Sequence, residues 1–248
     1  MNIELDQNYI SLKNVGKAFP KSGELFKDLN LGIKKSDFVV LLGPSGSGKS
    51  TILRLIAGLD QSTTGSVDFS KINKFETSFV FQDSHLMPWR TLLENVELPL
   101  ELMNISKNVR RERATQLLNQ VGLKDAFDLY PDELSGGMKM RASLARALVV
   151  KPKLLLLDEP FAALDEQTRF KLSEDLRLLW QQHEITVIFV THSVHEACFL
   201  ADRIITLSGK PAKIQSDLVL DLPNQRLNSL RTENIFLEQL KRIYESIK

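Results

Sequence analysis

One nine-residue run limits what this chain can fold into more than any other: GPSGSGKST, Gly43 to Thr51. It carries the spacing G-x-x-x-x-G-K-[ST], in which glycines let backbone N–H groups close around phosphate oxygens where a Cβ would obstruct the turn. Lys49 offers a point charge to the β- and γ-phosphates of a nucleotide, and the Ser50 hydroxyl can ligate Mg²⁺. Such a loop needs a strand before it and a helix after it. DFVVLLG, Asp37 to Gly43, is a continuous apolar run of the kind buried on both faces of a sheet, and KSTILRLIAGL has helical spacing with Gly58 as its C-cap. The whole loop, Gly43, Pro44, Ser45, Gly46, Ser47, Gly48, Lys49, Ser50 and Thr51, is therefore a nucleotide-binding candidate.

Two further buried strands are expected at KLLLLDE, Lys153 to Glu159, and TVIFVTH, Thr186 to His192. The first ends in Asp158 and Glu159. A carboxylate at a strand tip beside a phosphate loop is placed to hold Mg²⁺, and a second directly after it can deprotonate an attacking water. Two adjacent acids after four leucines are a poor packing choice, because burying unpaired charge is costly. His192, at the tip of the other strand, can meet the same γ-phosphate.

Helical spacing at about 137–149, 166–183 and 193–201 separates these strands, which argues for an α/β fold with a mostly parallel core sheet. The middle differs: TLLENVELPLELMN and KNVRRERATQLLNQVGL have amphipathic helical patterns with no buried strand between them. Residues 91–151 then form an inserted helical lobe, while 1–90 and 152–225 form the nucleotide-binding core with an antiparallel β-region. RIITLSGKPAKIQSDLVLDLP reads as a hairpin, and residues 226–248 as an amphipathic helix packed on the domain or on a second subunit.

The 248 residues suffice for one large domain, and a net charge of +1 gives no general affinity for nucleic acid. The basic run KNVRRER, Lys107 to Arg113, reads as the solvated face of a helix. One cysteine, Cys198, excludes an internal disulfide and reads as a small core residue. No apolar run approaches the ~20 residues that span a bilayer, and MNIELDQNYI has no signal-peptide anatomy.

ELSGGMKMR, Glu133 to Arg141, poses a puzzle. A serine that can cap a helix precedes two glycines that bare their amides, which again suits an anion. With this stretch the sequence resembles the ATP-binding cassette (ABC) ATPases over nearly its whole length. GPSGSGKS is similar to their Walker A motif, LLLLDE to Walker B and LSGGM to their signature motif. AALD, Ala162 to Asp165, resembles the D-loop, Gln82 in FVFQD the Q-loop, and VTH the switch histidine.

The resemblance implies a P-loop NTPase that binds ATP with Mg²⁺ and hydrolyses it. Lys49 would hold phosphate; Ser50, Gln82 and Asp158 would surround the metal. Glu159 would act as base, His192 would position the γ-phosphate, and Phe19 would stack on adenine unless it is an ordinary core residue. The puzzle also resolves: family members pair head to tail, so Ser135, Gly136 and Gly137 would serve the nucleotide held by a second copy. ATP then favours the closed pair and hydrolysis releases it.

DEPFAALD and QDSHLMPWRTLLENVELPL further resemble the ATPases of nitrate, sulfonate and taurine importers. That implies a separate transmembrane permease, an extracytoplasmic solute-binding protein and a peripheral position on the cytoplasmic side of the membrane. Met87, Pro88 and Trp89 would lie at the permease socket or anchor the lobe. A cytosolic, non-transport ABC ATPase and a transporter of another cargo are the alternatives. Three departures stand out: Met138 replaces a usual glutamine, Ser36–Asp37 a usual Gly–Glu, and the segment from Ser70 to Thr77 is short enough to trim the β-region.

Overall fold

The computed structural model describes residues 8–20, 23–73, 76–182 and 184–247. The expected helix end at His183, part of the short 70–77 segment and the first seven residues of the expected core lie outside these. The elements run β1 (Ile10–Phe19), β2 (Gly23–Ile33), β3 (Phe38–Leu42), α1 (Lys49–Ile56), β4 (Thr64–Asp68), β5 (Thr77–Val80), α2 (Leu92–Leu102), α3 (Lys107–Gln120) and α4 (Gly136–Leu148). They continue as β6 (Leu154–Asp158), α5 (Glu166–Gln182), β7 (Thr186–Thr191), α6 (Val194–Leu200), β8 (Arg203–Ser208), β9 (Lys213–Val219) and α7 (Asn234–Ser246).

The main sheet has the order β5-β6-β7-β3-β8-β9. All its pairings are parallel except the β8–β9 hairpin at one edge. The apolar runs explain why these strands sit inside. Phe38, Val40 and Leu42 point into one buried cluster, while Val39 and Leu41 point into another on the opposite face. Leu155 and Leu157 alternate with Leu154 and Leu156 in the same way. A strand alternates its side chains, so a run apolar at every position must be covered on both faces. One cover contains α1 and the antiparallel sheet β2-β1-β4; the other contains residues from α2 to α7.

Local signals set the helix ends. Gly58, at φ 68°, closes α1 in a Schellman motif: its N–H reaches Leu55 O at 3.1 Å and Leu59 N–H reaches Arg54 O at 2.9 Å. Thr91 and Glu94 form a capping box at the start of α2. The basic run forms α3, with Lys107, Arg111 and Glu112 exposed, whereas Arg110 pairs with Glu97 at 3.3 Å.

One element departs from expectation. The C-terminal segment is not a continuous helix from residue 226: a 3-10 turn covers Asn228–Thr232, Glu233 is extended, and α7 begins at Asn234. Tertiary contacts account for the break. Asn228 donates to Glu174 Oε2 at 2.6 Å, and the Arg231 guanidinium lies 4.1 Å from the Phe170 ring and 3.8 Å from the Phe199 ring. Arg226 donates to the carbonyls of Phe199 and Ala201 at 2.9 and 2.8 Å, capping the end of α6.

Candidate active site

The parallel strands deliver their carboxyl ends to one edge of the sheet. Leu42 is in register with Thr191, Asp158 with Val190, and Val80 with Leu157. The phosphate loop, the Asp158–Glu159 pair, His192 and Gln82 therefore emerge side by side. Open α/β sheets bind ligands at this edge, where helix N-termini and strand tips converge.

The loop has the shape its glycines allow. Gly46 and Gly48 adopt φ of 80° and 85°, left-handed values that L side chains rarely take. A Cβ on Gly43 would stand 2.5 Å from Leu207 O, and one on Gly48 would stand 2.9 Å from the Phe26 ring. Pro44, Ser45 and Gly46 are exposed; Ser47, Gly48 and Lys49 are buried, and Ser50 and Thr51 half-buried. Lys49 folds back so that its Nζ donates to the carbonyls of Gly43 and Pro44, at 2.8 and 2.9 Å. Its ammonium is also 3.9 Å from Glu159 Oε1. Burial lowers its pKa from the usual lysine value, against the pull of Glu159 and Asp158.

Ser50 Oγ donates to Asp158 Oδ1 at 2.7 Å. Burial raises the Asp158 pKa, and that hydrogen bond works in the opposite direction. Glu159, the next residue, has φ 46°, a conformation uncommon outside glycine and found where a site imposes it. Its carboxylate spans the cleft, with Oε2 2.9 Å from Nδ1 of the exposed His192. Gln82 is exposed just beyond β5. Phe19 ends β1 at 38% exposure, with Lys17 Nζ 5.0 Å from its ring, so it is not an enclosed core residue.

The second glycine stretch opens α4. Ser135 is the N-cap, and its Oγ accepts from Met138 N at 3.3 Å. The substituted methionine thus serves through its backbone amide. Ser135 and Gly136 are exposed, and a Cβ on Gly137 would lie 2.8 Å from Thr168 Cγ2 at the start of α5.

Several supporting residues escaped the sequence reading. The buried Glu196 accepts from Thr191 Oγ1 at 2.6 Å and pairs with Arg169 at 3.3 Å, directly behind His192. The S-V-H-E run has the spacing of a capping box. Ser193 does accept from Glu196 N at 3.3 Å, but the carboxylate turns to Thr191 and Arg169 instead of back to Ser193. Arg146 of α4 donates to the carbonyls of Ser84 and His85 at 2.6 and 2.7 Å. Asn95, fully buried, accepts from Met87 N at 2.7 Å and donates to Met87 O and Arg90 O at 3.1 and 3.0 Å. These two side chains pin the loop after Gln82.

The donor set fits a nucleotide with its metal. Ser47 Oγ is buried with no hydrogen-bond partner among the described residues, and a Cβ at Gly43 would stand 3.1 Å from it. Among the described residues no group of three or more His, Cys, Asp or Glu could hold a metal by itself. Mg²⁺ commonly takes one or two protein oxygens and completes its shell with phosphate and water, which is what Ser50 and Asp158 can offer.

A family model for ABC transporters matches residues 26–162. MJ0412, an ABC transporter ATP-binding protein of Methanocaldococcus jannaschii, is 43% identical over 246 residues, covering 96% of this chain and 91% of its own. The nitrate import ATP-binding protein NrtD of Synechocystis sp. is 45% identical over 201 residues, 79% of this chain and 76% of its own. The aliphatic sulfonates import ATP-binding protein SsuB of Bacillus cereus is 39% identical over 246 residues, 96% of each chain. A dimeric post-hydrolysis structure of the ATP-binding cassette MJ0796 with ADP and Pi superposes with a TM-score of 0.76 at 36% identity, over 86% of this chain and 100% of that one. The phosphate loop, the acid pair at the tip of β6 and the extent of these likenesses agree: the chain belongs to the ABC transporter family, as one of its ATP-binding proteins.

Proposed function

We propose that this protein is the ATP-hydrolysing subunit of an importer for a small anionic solute. The observation that carries the chemistry is the Glu159 carboxylate, placed between Lys49 and His192 at the end of a strand that also presents Asp158. Relatives named for nitrate and aliphatic sulfonate import support the cargo class.

In this reading Lys49 exchanges its two loop carbonyls for phosphate oxygens, and the amides of residues 45–51 enclose the phosphate chain. Ser50, Asp158 and Gln82 would hold Mg²⁺, which when bound neutralises phosphate charge. Glu159 accepts the proton of the attacking water, and His192 orients the γ-phosphate while Glu159 fixes its ring. Phe19 provides the adenine platform. Ser135, Gly136 and Gly137 close the site of a second copy, since Ser135 and Gly136 are exposed and the half-buried Gly137 sits against Thr168 at the start of α5. The dimeric state of MJ0796 supports that arrangement.

The motion would pass to a permease through the loop after Gln82. An apolar groove of about 540 Å³ lies there, lined by Phe81, Met87, Leu98, Pro99, Leu102 and Met103. Leu102 in its wall is 75% exposed, and Trp89, two residues from Met87, is 72% exposed. Large exposed apolar groups in one place mark a surface that meets a partner. Arg146 ties this loop to α4, whose N-terminus is Ser135, so a push at the groove reaches the signature stretch. Residues 91–151 would then move as a lobe against the core of 1–90 and 152–225, with 226–248 clasping α5 and α6. Among the described residues no helix is long and apolar enough to cross a membrane. In this reading the chain is a peripheral subunit at the cytoplasmic face of a permease that an external solute-binding protein supplies.

The test is phosphate release from ATP by the purified chain with Mg²⁺ and with a chelator, together with co-purification of a co-expressed candidate permease. Metal-dependent turnover and a stable complex are expected. Turnover without permease association would leave a cytosolic ATPase, and no turnover would remove the enzymatic reading.

A further inference from the structure

A second pocket, of about 530 Å³, opens at the other edge of the main sheet. Lys35, Pro152 and Ile185 in its wall stand just before β3, β6 and β7, whereas the nucleotide groups stand just after those strands. The two places are a strand length apart, about 17 Å for five residues. The facing wall comes from α3 and the end of α4, so the pocket lies on the seam between the helices inserted after β5 and the sheet itself.

Its chemistry is two-sided. Leu117, Leu148, Val149, Pro152 and Ile185 supply an apolar floor. Lys35, Arg113, Lys151 and Lys153 stand around it with a single acid, Glu184. The exposed Glu184 lies 3.7 Å from Lys35, and Lys153 is held by Glu76 at 2.6 Å. The Arg113 and Lys151 side chains have no ion pair or hydrogen bond to described residues, although Arg113 is half-buried. Both charges are therefore available to an anion that lies on the apolar floor. Pockets of 300–1,000 Å³ with an apolar lining and few convergent polar groups are the usual form of small-molecule sites. A bare inorganic anion would leave most of this volume to water.

We propose that this pocket binds a small organic anion, one sulfonate, phosphate or carboxylate group on a short apolar body, with Arg113 and Lys151 as its charge partners. Such a ligand touches both sides of the seam, so it favours one setting of the helices against the sheet. The inference rests on the pocket and not on the importer reading, and it survives if that reading fails.

Pentane-1-sulfonate titrated by calorimetry into the full chain, with ADP saturating the phosphate loop, tests it. We expect saturable binding that weakens about ten- to a hundredfold in the double variant Arg113→Gln/Lys151→Gln, the range for lost hydrogen bonds to a charge. ADP affinity of that variant should be unchanged, and sodium nitrate should bind far more weakly than the alkanesulfonate. No saturable heat up to about 5 mM, equal binding by both proteins, or binding seen only when ADP is left out would each overturn the proposal. So would binding to phosphatidylglycerol vesicles that needs Arg113 and Lys151 when the soluble sulfonate does not bind, since the source would then be a membrane.

Discussion

Glu159 Oε2 lies 2.9 Å from Nδ1 of His192, although the two residues belong to different strand ends 33 positions apart. The contact orients the imidazole and keeps one carboxylate oxygen turned toward Lys49, 3.9 Å away. If His192 acts on the γ-phosphate and not as the base, His192→Ala should lower kcat by about 10²-fold or more while nucleotide affinity stays within a few fold. Steady-state kinetics beside fluorescent-nucleotide binding decides it; an equal loss in kcat and affinity would make His192 a binding group.

Two glycines of the phosphate loop should differ in their tolerance of a methyl group. At Gly43 the added Cβ meets Leu207 O at 2.5 Å, a backbone atom that cannot swing away, so Gly43→Ala should cost up to about 3 kcal/mol. At Gly46 the space is open and only the left-handed φ of 80° resists, so Gly46→Ala should cost about 1 kcal/mol. Urea denaturation of both variants measures the difference, and the reverse order would mean the loop is not held against β8 as described.

Much of this was legible because two signals coincide in the sequence. DFVVLLG could be placed as a central strand because apolarity at every position demands cover on both faces, and β3 is buried at all five positions. The phosphate loop was legible because backbone geometry selects its glycines and phosphate chemistry selects Lys49 and Ser50, all within one short run. What stayed hidden depends on partners far away along the chain. Nothing local shows that Asn95 will fasten Met87 and Arg90, or that Trp89, read as a socket residue or an anchor, would be left 72% exposed. The C-terminal stretch has helical spacing from Leu227 onward, yet Arg231 finds two aromatic rings and Asn228 finds Glu174, and these contacts outweigh the intrinsic preference.

Arg231 gives a test of that last point. Burial pushes its guanidinium down to about 10, and its ring contacts at 4.1 and 3.8 Å join α5 to α6. Arg231→Ala should lose about 2 kcal/mol in chemical denaturation, the magnitude for a desolvated cation–π contact. An unchanged denaturation midpoint would show that the clasp holds without it.

Cys198 should be inert while the protein is folded. It is fully buried, and burial pushes its thiol from the usual 9.0 up to about 12. Between those values the folded chain keeps the proton that an unfolded chain has released, and only the thiolate is a good nucleophile. Iodoacetamide labelling of the native protein should stay slow from about pH 8 to about pH 10, whereas in urea its rate should climb steeply over the same range. A native rate that follows the unfolded one would place Cys198 outside the core.

In the proposed cycle each nucleotide is enclosed by two copies of this chain, one giving Lys49 and Glu159 and the other giving Ser135, Gly136 and Gly137. Glu159→Gln should slow turnover by about 10²- to 10⁴-fold and so trap the loaded state. Light scattering on that variant should give twice the 28.1 kDa chain mass with saturating ATP and the single mass with ADP. A single mass at saturating ATP, with nucleotide shown to be bound, would contradict the shared site.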